Sequence, residues 1–188
     1  MRPVPWSEAD ADSASFLAIV PPRPIAEAIR RAEARFEISP AVPPHVTVKA
    51  QPGLQDPTLW REPVRQLLVS IDPIAMKLGP PRWFGTDLLY LSIEGHGVVD
   101  LHRRILECLE AAGVEECFEY EGDEYVPHLT IGAPWATADG ISGGLDELPV
   151  HLEQLPSEPF VVTEVIEIRR SKADGAYSEA HRFSLRPG

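Results

Sequence analysis

Hydrophobic and polar positions along this chain repeat with two different periods, and the switches between them mark out elements. Ser15 to Val20 (SFLAIV) is a short apolar run closed by Pro21 and Pro22, which predicts a buried strand. From Pro24 the spacing changes to three and four. Ile25, Ala28, Ile29, Ala32 and Phe36 predict a helix, with Arg30, Arg31 and Arg35 mostly off that stripe and toward its end, where cations are favoured. After a loop over Ile38 to Pro44, HVTVKA alternates as a strand does. Pro57 to Ile71 reads as a second helix, and Ile74 to Leu78 and Leu88 to Ile93 as two strands joined by a loop from Gly79 to Gly85.

The clearest helix spans Gly97 to Ala112 and stops at Gly113, a common place for a glycine. A polar, acidic loop then leads to Tyr125 and the strand HLTIGA. Leu145 to Leu155 has a helical pattern that Pro149 is expected to interrupt. FVVTEVIEIRR and AYSEAHRFSL alternate on either side of a Lys-Ala-Asp-Gly turn and predict a hairpin.

A weak internal repeat runs through this pattern. One Arg-bearing helix leads into Phe36-Glu37, and nine residues after Phe36 comes His45 in PHVTV. A second leads into Phe118-Glu119, and ten residues after Phe118 comes His128 in PHLTI. The shared order predicts an α+β fold made of a duplicated lobe rather than a parallel βαβ sheet.

The two PHxTx strings carry the chemistry. In an extended strand, residues i and i+2 share a face, so each string presents His and Thr on one side and two aliphatics on the other. The aliphatics belong in a core. The polar faces of two adjoining strands would bring His45, Thr47, His128 and Thr130 around a volume the size of a phosphate. Two imidazoles suit an acid–base pair because histidine titrates near neutrality. Hydroxyls can donate to non-bridging phosphate oxygens. A lone strand His is more often structural, but such a string arises on the order of once per thousand chains, so two in matching context argue against coincidence. His-x-Thr offers one good ligand per strand, so no metal or other cofactor is expected.

Composition then narrows the partners. With 188 residues, 44% hydrophobic and 24% charged, the chain suits one domain, 1–188, built of two pseudo-symmetric lobes. A net charge of −12 disfavours a long phosphate backbone and favours a small substrate. Cys108 and Cys117 do not make a disulfide framework, and Cys108 falls in a helical pattern. The N-terminus has no extended apolar stretch after its Arg, and no apolar run reaches the roughly 18 residues of a membrane span, so a cytoplasmic location is expected.

Paired PHxTx strands about 80 residues apart, together with LGPPRWFGTDLLYLSI, resemble the 2H phosphoesterases, the group that includes 2′-5′ RNA ligases and cyclic phosphodiesterases. The resemblance covers most of the chain. It implies a bilobal LigT-like fold, each lobe an antiparallel sheet with helices packed outside and the motifs facing across a central cleft. It further implies that His45 and His128 are the general acid and base and that Thr47 and Thr130 bind phosphate. The implied substrate is a nucleotide or RNA terminus bearing a 2′,3′-cyclic phosphate, opened without metal, with reversible 2′-5′ joining a related activity.

Other residues are placed by weaker signals. Tyr125, three residues before His128, and Arg82 and Trp83, in the Pro-rich loop, are candidate substrate contacts. Arg169, Arg170 and Lys172 form the one basic patch, read as a solvated turn. His96, His102, His151 and His181 lack the motif context and are assigned no role, His102 falling among ordinary surface charges on its helix. No obligatory protein partner is implied and a monomer is expected. The alternative is an RNA-end binding module that turns nothing over.

Overall fold

The computed structural model describes residues 15–38, 40, 42–85, 88–114, 120–132, 147–156, 158–171 and 173–187. Its elements run β1 (Ser15–Ile19), α1 (Arg23–Arg35), β2 (Val46–Lys49), α2 (Pro57–Leu68), β3 (Ile74–Phe84), β4 (Leu88–Glu94) and α3 (Gly97–Ala111). After a single 3-10 turn at Gly122–Glu124 come β5 (His128–Gly132), α4 (Leu148–Leu152), β6 (Phe160–Val162), β7 (Glu164–Arg170) and β8 (Tyr177–Ser184). The strands form one antiparallel sheet in the order β6-β3-β4-β5-β2-β1-β7-β8. Thr163 alone separates β6 from β7, the first and seventh strands of that order, so the sheet has to curl. Leu185 donates its N–H to the Thr163 carbonyl at 2.8 Å and helps hold that junction.

β1-α1-β2 and β4-α3-β5 share the order strand, helix, strand, and the two units meet where β2 lies beside β5. One sheet face is covered by helices. Leu17 and Ile19 of β1, Val46 and Val48 of β2, Leu89 and Leu91 of β4, and Leu129 and Ile131 of β5 all lie in the main core. Each such side chain contributes roughly 2 kcal/mol by leaving water. Trp60, fully buried on α2, donates its indole N–H to the Leu54 carbonyl at 3.1 Å.

Local chemistry explains the boundaries. Asp56 caps α2 by accepting from the Thr58 backbone N–H at 2.9 Å, and Pro57 fills the first position, where no N–H is needed. Helix α3 ends in a Schellman arrangement: Gly113 has φ +81°, and Gly113 and Val114 donate to the Glu110 and Leu109 carbonyls, each at 2.9 Å.

Four expectations need correcting. The Pro-rich stretch is not a loop, because β3 runs through it to Phe84. The register moves from Leu78 opposite Ile93 to Pro81 opposite Leu91, so the strand absorbs one extra residue there. Proline, which lacks an N–H, is tolerated at such a bulge. Pro149 does not interrupt α4 but sits in its first turn. The run from Phe160 to Arg170 is two strands, because β6 pairs with β3 while β7 pairs with β1 and β8. His102 is fully buried, not one of the surface charges of its helix. Phe118, Glu119, Cys117 and Lys172 lie outside the described residues.

Candidate active site

The sheet face away from the main core carries the two motifs. Strands β2 and β5 share one paired position, Val46 opposite Leu129. In an antiparallel pair the next positions follow by one step each way, so His45 lies across from Thr130 and Thr47 across from His128. Both rows of the site are therefore crossed: each half's histidine sits beside the other half's threonine. The rows extend outward in register. Tyr90 of β4 pairs with Thr130 and Ser92 with His128, Arg82 of β3 pairs with Tyr90, and Ala18 of β1 pairs with Thr47.

Each imidazole is held by the carbonyl two residues before it. His45 Nδ1 lies 2.8 Å from the Pro43 carbonyl oxygen, and His128 Nδ1 lies 2.7 Å from that of Val126. A carbonyl only accepts, so Nδ1 carries the proton in both rings and Nε2 is left for the site. Burial pushes both imidazoles below their ordinary value of 6.5, against the opposing pull of those carbonyls. His45 also feels the charge of His128, which lowers it further.

Aromatic rings pack against both. Phe16 of β1 lies 5.0 Å from His45, centroid to centroid. Phe84 of β3 and Tyr90 of β4 stack on one another at 4.1 Å and meet His128 edge-on at 5.0 and 5.4 Å. Beyond Phe16, Ala18, Ile166 and Ile168 form a small apolar cluster with Tyr177.

A second layer anchors β2 from the side of α3. Tyr125 donates its hydroxyl to the Thr47 carbonyl at 2.6 Å and stacks its ring on His102 at 3.8 Å. His102 Nδ1 donates to the Val48 carbonyl at 2.7 Å, and its Nε2 accepts from the Gly122 N–H at 2.9 Å. That pattern needs a neutral ring, in keeping with the direction in which burial drives its pKa. The buried Lys49 ammonium donates to the Ala50 and Pro52 carbonyls and to Glu121 Oε2 at 2.9 Å, while Glu121 Oε1 accepts from the Ala50 N–H at 2.7 Å. Residues 47 to 50 of one motif are thus held by side chains from the other half.

The structure therefore brings His45, Thr47, His128 and Thr130 together, with Arg82 on the same face. Tyr125 commits both its hydroxyl and a ring face internally. Trp83 pairs with Leu89, a core residue, and so lies on the opposite sheet face from Arg82. Arg169 is engaged by Glu167 and Ser15, and Arg170 by the Gly175 carbonyl. Sequence reasoning missed Phe16, Tyr90, His102 and Glu121. Strand parity could have found Tyr90, which shares its face with the polar Ser92 in an otherwise apolar run. For His102 the signal was weaker: it lies one position after Leu101 inside the buried stripe of α3. Among the described residues, no three His, Cys, Asp or Glu side chains group as a metal site, and no helix is long and apolar enough to cross a membrane.

With this geometry in place, comparison with known proteins gives the family. The profile described as the 2′-5′ RNA ligase superfamily matches residues 21–174, most of the chain. The protein belongs to that superfamily, as the resemblance of its motifs implied, and membership supports a phosphoesterase-type function at the level of class. Solved structures agree on the fold. TT0787 of Thermus thermophilus is 16% identical with a TM-score of 0.68, the alignment covering 92% of this chain and 98% of that one. E. coli LigT complexed with 3′-AMP is 17% identical with a TM-score of 0.63, over 93% and 99% of the two chains. The same protein complexed with NADP+ gives 20% and 0.61, over 93% and 98%. No curated protein matches the chain in sequence.

Proposed function

We propose that this protein opens 2′,3′-cyclic phosphates of nucleotides or RNA ends by two-histidine acid–base catalysis. One observation carries the reading: the single Val46–Leu129 pair sets each histidine beside the opposite threonine. A phosphate placed over that pair would have an imidazole Nε2 on either side. One Nε2 takes a proton from water as its oxygen attacks phosphorus. The other, protonated, gives its proton to the departing ribose oxygen, so the two rings exchange charge over the reaction. Thr47 and Thr130 would donate to the non-bridging oxygens, where negative charge gathers as the fifth bond forms. With a terminal hydroxyl in place of water, the same groups would run 2′-5′ joining. That LigT was solved with 3′-AMP fits a nucleoside monophosphate as the product class.

Purified protein incubated with each 2′,3′-cyclic nucleotide and a cyclic-phosphate-ended oligonucleotide, with EDTA present, tests this. Chromatography separating 2′- from 3′-phosphates should show a single isomer. No product from any of these would sink the reading and favour a binding role. Loss of activity on chelation would assign the chemistry to a metal.

A further inference from the structure

Beside His128, on the same sheet face, lies a surface hollow of about 320 Å³ between β3, β4 and the residues just before β5. Val126 and Pro127 wall one side, and Arg82, Tyr90, Ser92 and Glu94 line the rest. Its polar groups oppose one another in type. Among the described residues Arg82 makes no hydrogen bond or ion pair, and a guanidinium can only donate. Glu94 gives Oε2 to Lys77 at 3.2 Å, while Oε1 accepts nothing among the described residues. A Cβ on Gly79 would stand 2.5 Å from Ser92 Oγ and 3.2 Å from Glu94 Oε1, so the glycine leaves room for both side chains.

A phosphate would satisfy Arg82 but would bring its charge up against Glu94 in a chain of net charge −12. A neutral group with an acceptor edge and a donor edge suits both. Among the four bases, guanine alone has adjacent O6 and N7 acceptors together with two adjacent donors, N1–H and N2–H₂. We infer that this hollow is a base-recognition subsite that selects guanosine, with Arg82 reading O6 and N7 and Glu94 reading N1–H and N2–H₂. The inference rests on the cyclic-phosphate reading above and names the substrate of that site.

Two measurements test it. The first is kcat/KM for the four 2′,3′-cyclic mononucleotides. A good bidentate contact separates right from wrong bases by about tenfold or more, so guanosine should lead by at least about that factor. Glu94→Gln and Arg82→Ala should each pull the guanosine-to-adenosine ratio toward one, with melting temperatures confirming folded protein. The second is calorimetric binding of 3′-GMP against 3′-AMP, which reads the hollow whether or not anything is turned over. Equal binding and equal rates across bases overturn the subsite and leave the two-histidine reading standing. Guanosine-selective binding without turnover keeps the subsite and removes the catalytic reading. A base-independent preference for a dinucleotide, lost in Arg82→Ala, would assign the hollow to a second phosphate and overturn it.

Discussion

The two halves of the site are equivalent in fold and different in how they are held. On the His45 side, β2 is fixed from behind by polar contacts: Tyr125 on Thr47, His102 on Val48, and the buried Lys49–Glu121 pair at the strand's end. Beside His45 itself lie Phe16 and an apolar cluster. On the His128 side the order is reversed. The Phe84–Tyr90 stack packs on the ring itself, and the neighbouring surface is polar and open, with Arg82, Ser92 and Glu94. The motif residues are thus alike on the two sides while their surroundings differ: the His45 side is held by side chains that reach over from the other half and has a dry apolar wall, and the His128 side is open and lined by polar groups.

The largest effect is expected from removing the imidazoles. His45→Ala and His128→Ala should each lower kcat/KM for a 2′,3′-cyclic nucleotide by about 10²–10⁴-fold, the usual contribution of a positioned acid or base. Near-equal losses would mean that the halves diverged in support and not in chemistry. Thr47→Val and Thr130→Val should follow at about 10²-fold in kcat, since each removes one donor to the developing charge.

The anchoring of β2 should show in stability rather than in chemistry. Glu121→Ala leaves the Lys49 ammonium buried without its carboxylate, a change that costs about 3–5 kcal/mol. Urea denaturation should register that loss, and Arg82→Ala on the open half should cost little by comparison. If the two variants unfolded alike, the division between a rigid half and an open half would fail.

The two sides should also differ in their response to pH. Both imidazoles titrate below 6.5 because burial disfavours their charged forms. Acid–base exchange needs one ring charged and one neutral, so kcat/KM should peak on the acid side of 6.5 and fall as pH rises through neutrality. Replacing Phe84 by Ala admits water to His128 and should move its titration upward, read by NMR of the ring protons, with His45 moving less. The smallest effect concerns folding. His45, His102 and His128 have lowered folded values. As pH falls below 6.5 the unfolded chain takes up protons first, so this contribution is full above 6.5 and is lost toward acid. The melting temperature should decline over that interval.

How much of this could be read from the chain follows the range of the interactions. Strand parity put His45 with Thr47 and His128 with Thr130, and the repeated order helix, loop, PHxTx matches the strand-helix-strand order that β1-α1-β2 shares with β4-α3-β5. The crossed pairing of histidines with threonines depends on the register of Val46 with Leu129, 83 positions apart (129 − 46), which no local pattern encodes. His102 was misread because a polar residue in an amphipathic helix looks solvated until the Val48 carbonyl and the Gly122 N–H arrive from elsewhere in the chain. Glu33 poses the same problem in α1. It lies on the buried stripe with Ile25 and Ile29, and burial raises its carboxyl to about 7. The Pro-Pro stretch reads as a loop because a bulge that accommodates Pro80 and Pro81 is specified by the partner strand.

The proposed reaction requires His45 and His128 to act as one catalytic unit. The most direct test compares kcat for His45→Ala, His128→Ala and the double variant on one 2′,3′-cyclic nucleotide. Residues that act together are strongly non-additive. The double variant should therefore be about as slow as either single one, with all three folded. Losses that multiply, or a single variant near the wild-type rate, would rule out a two-histidine unit.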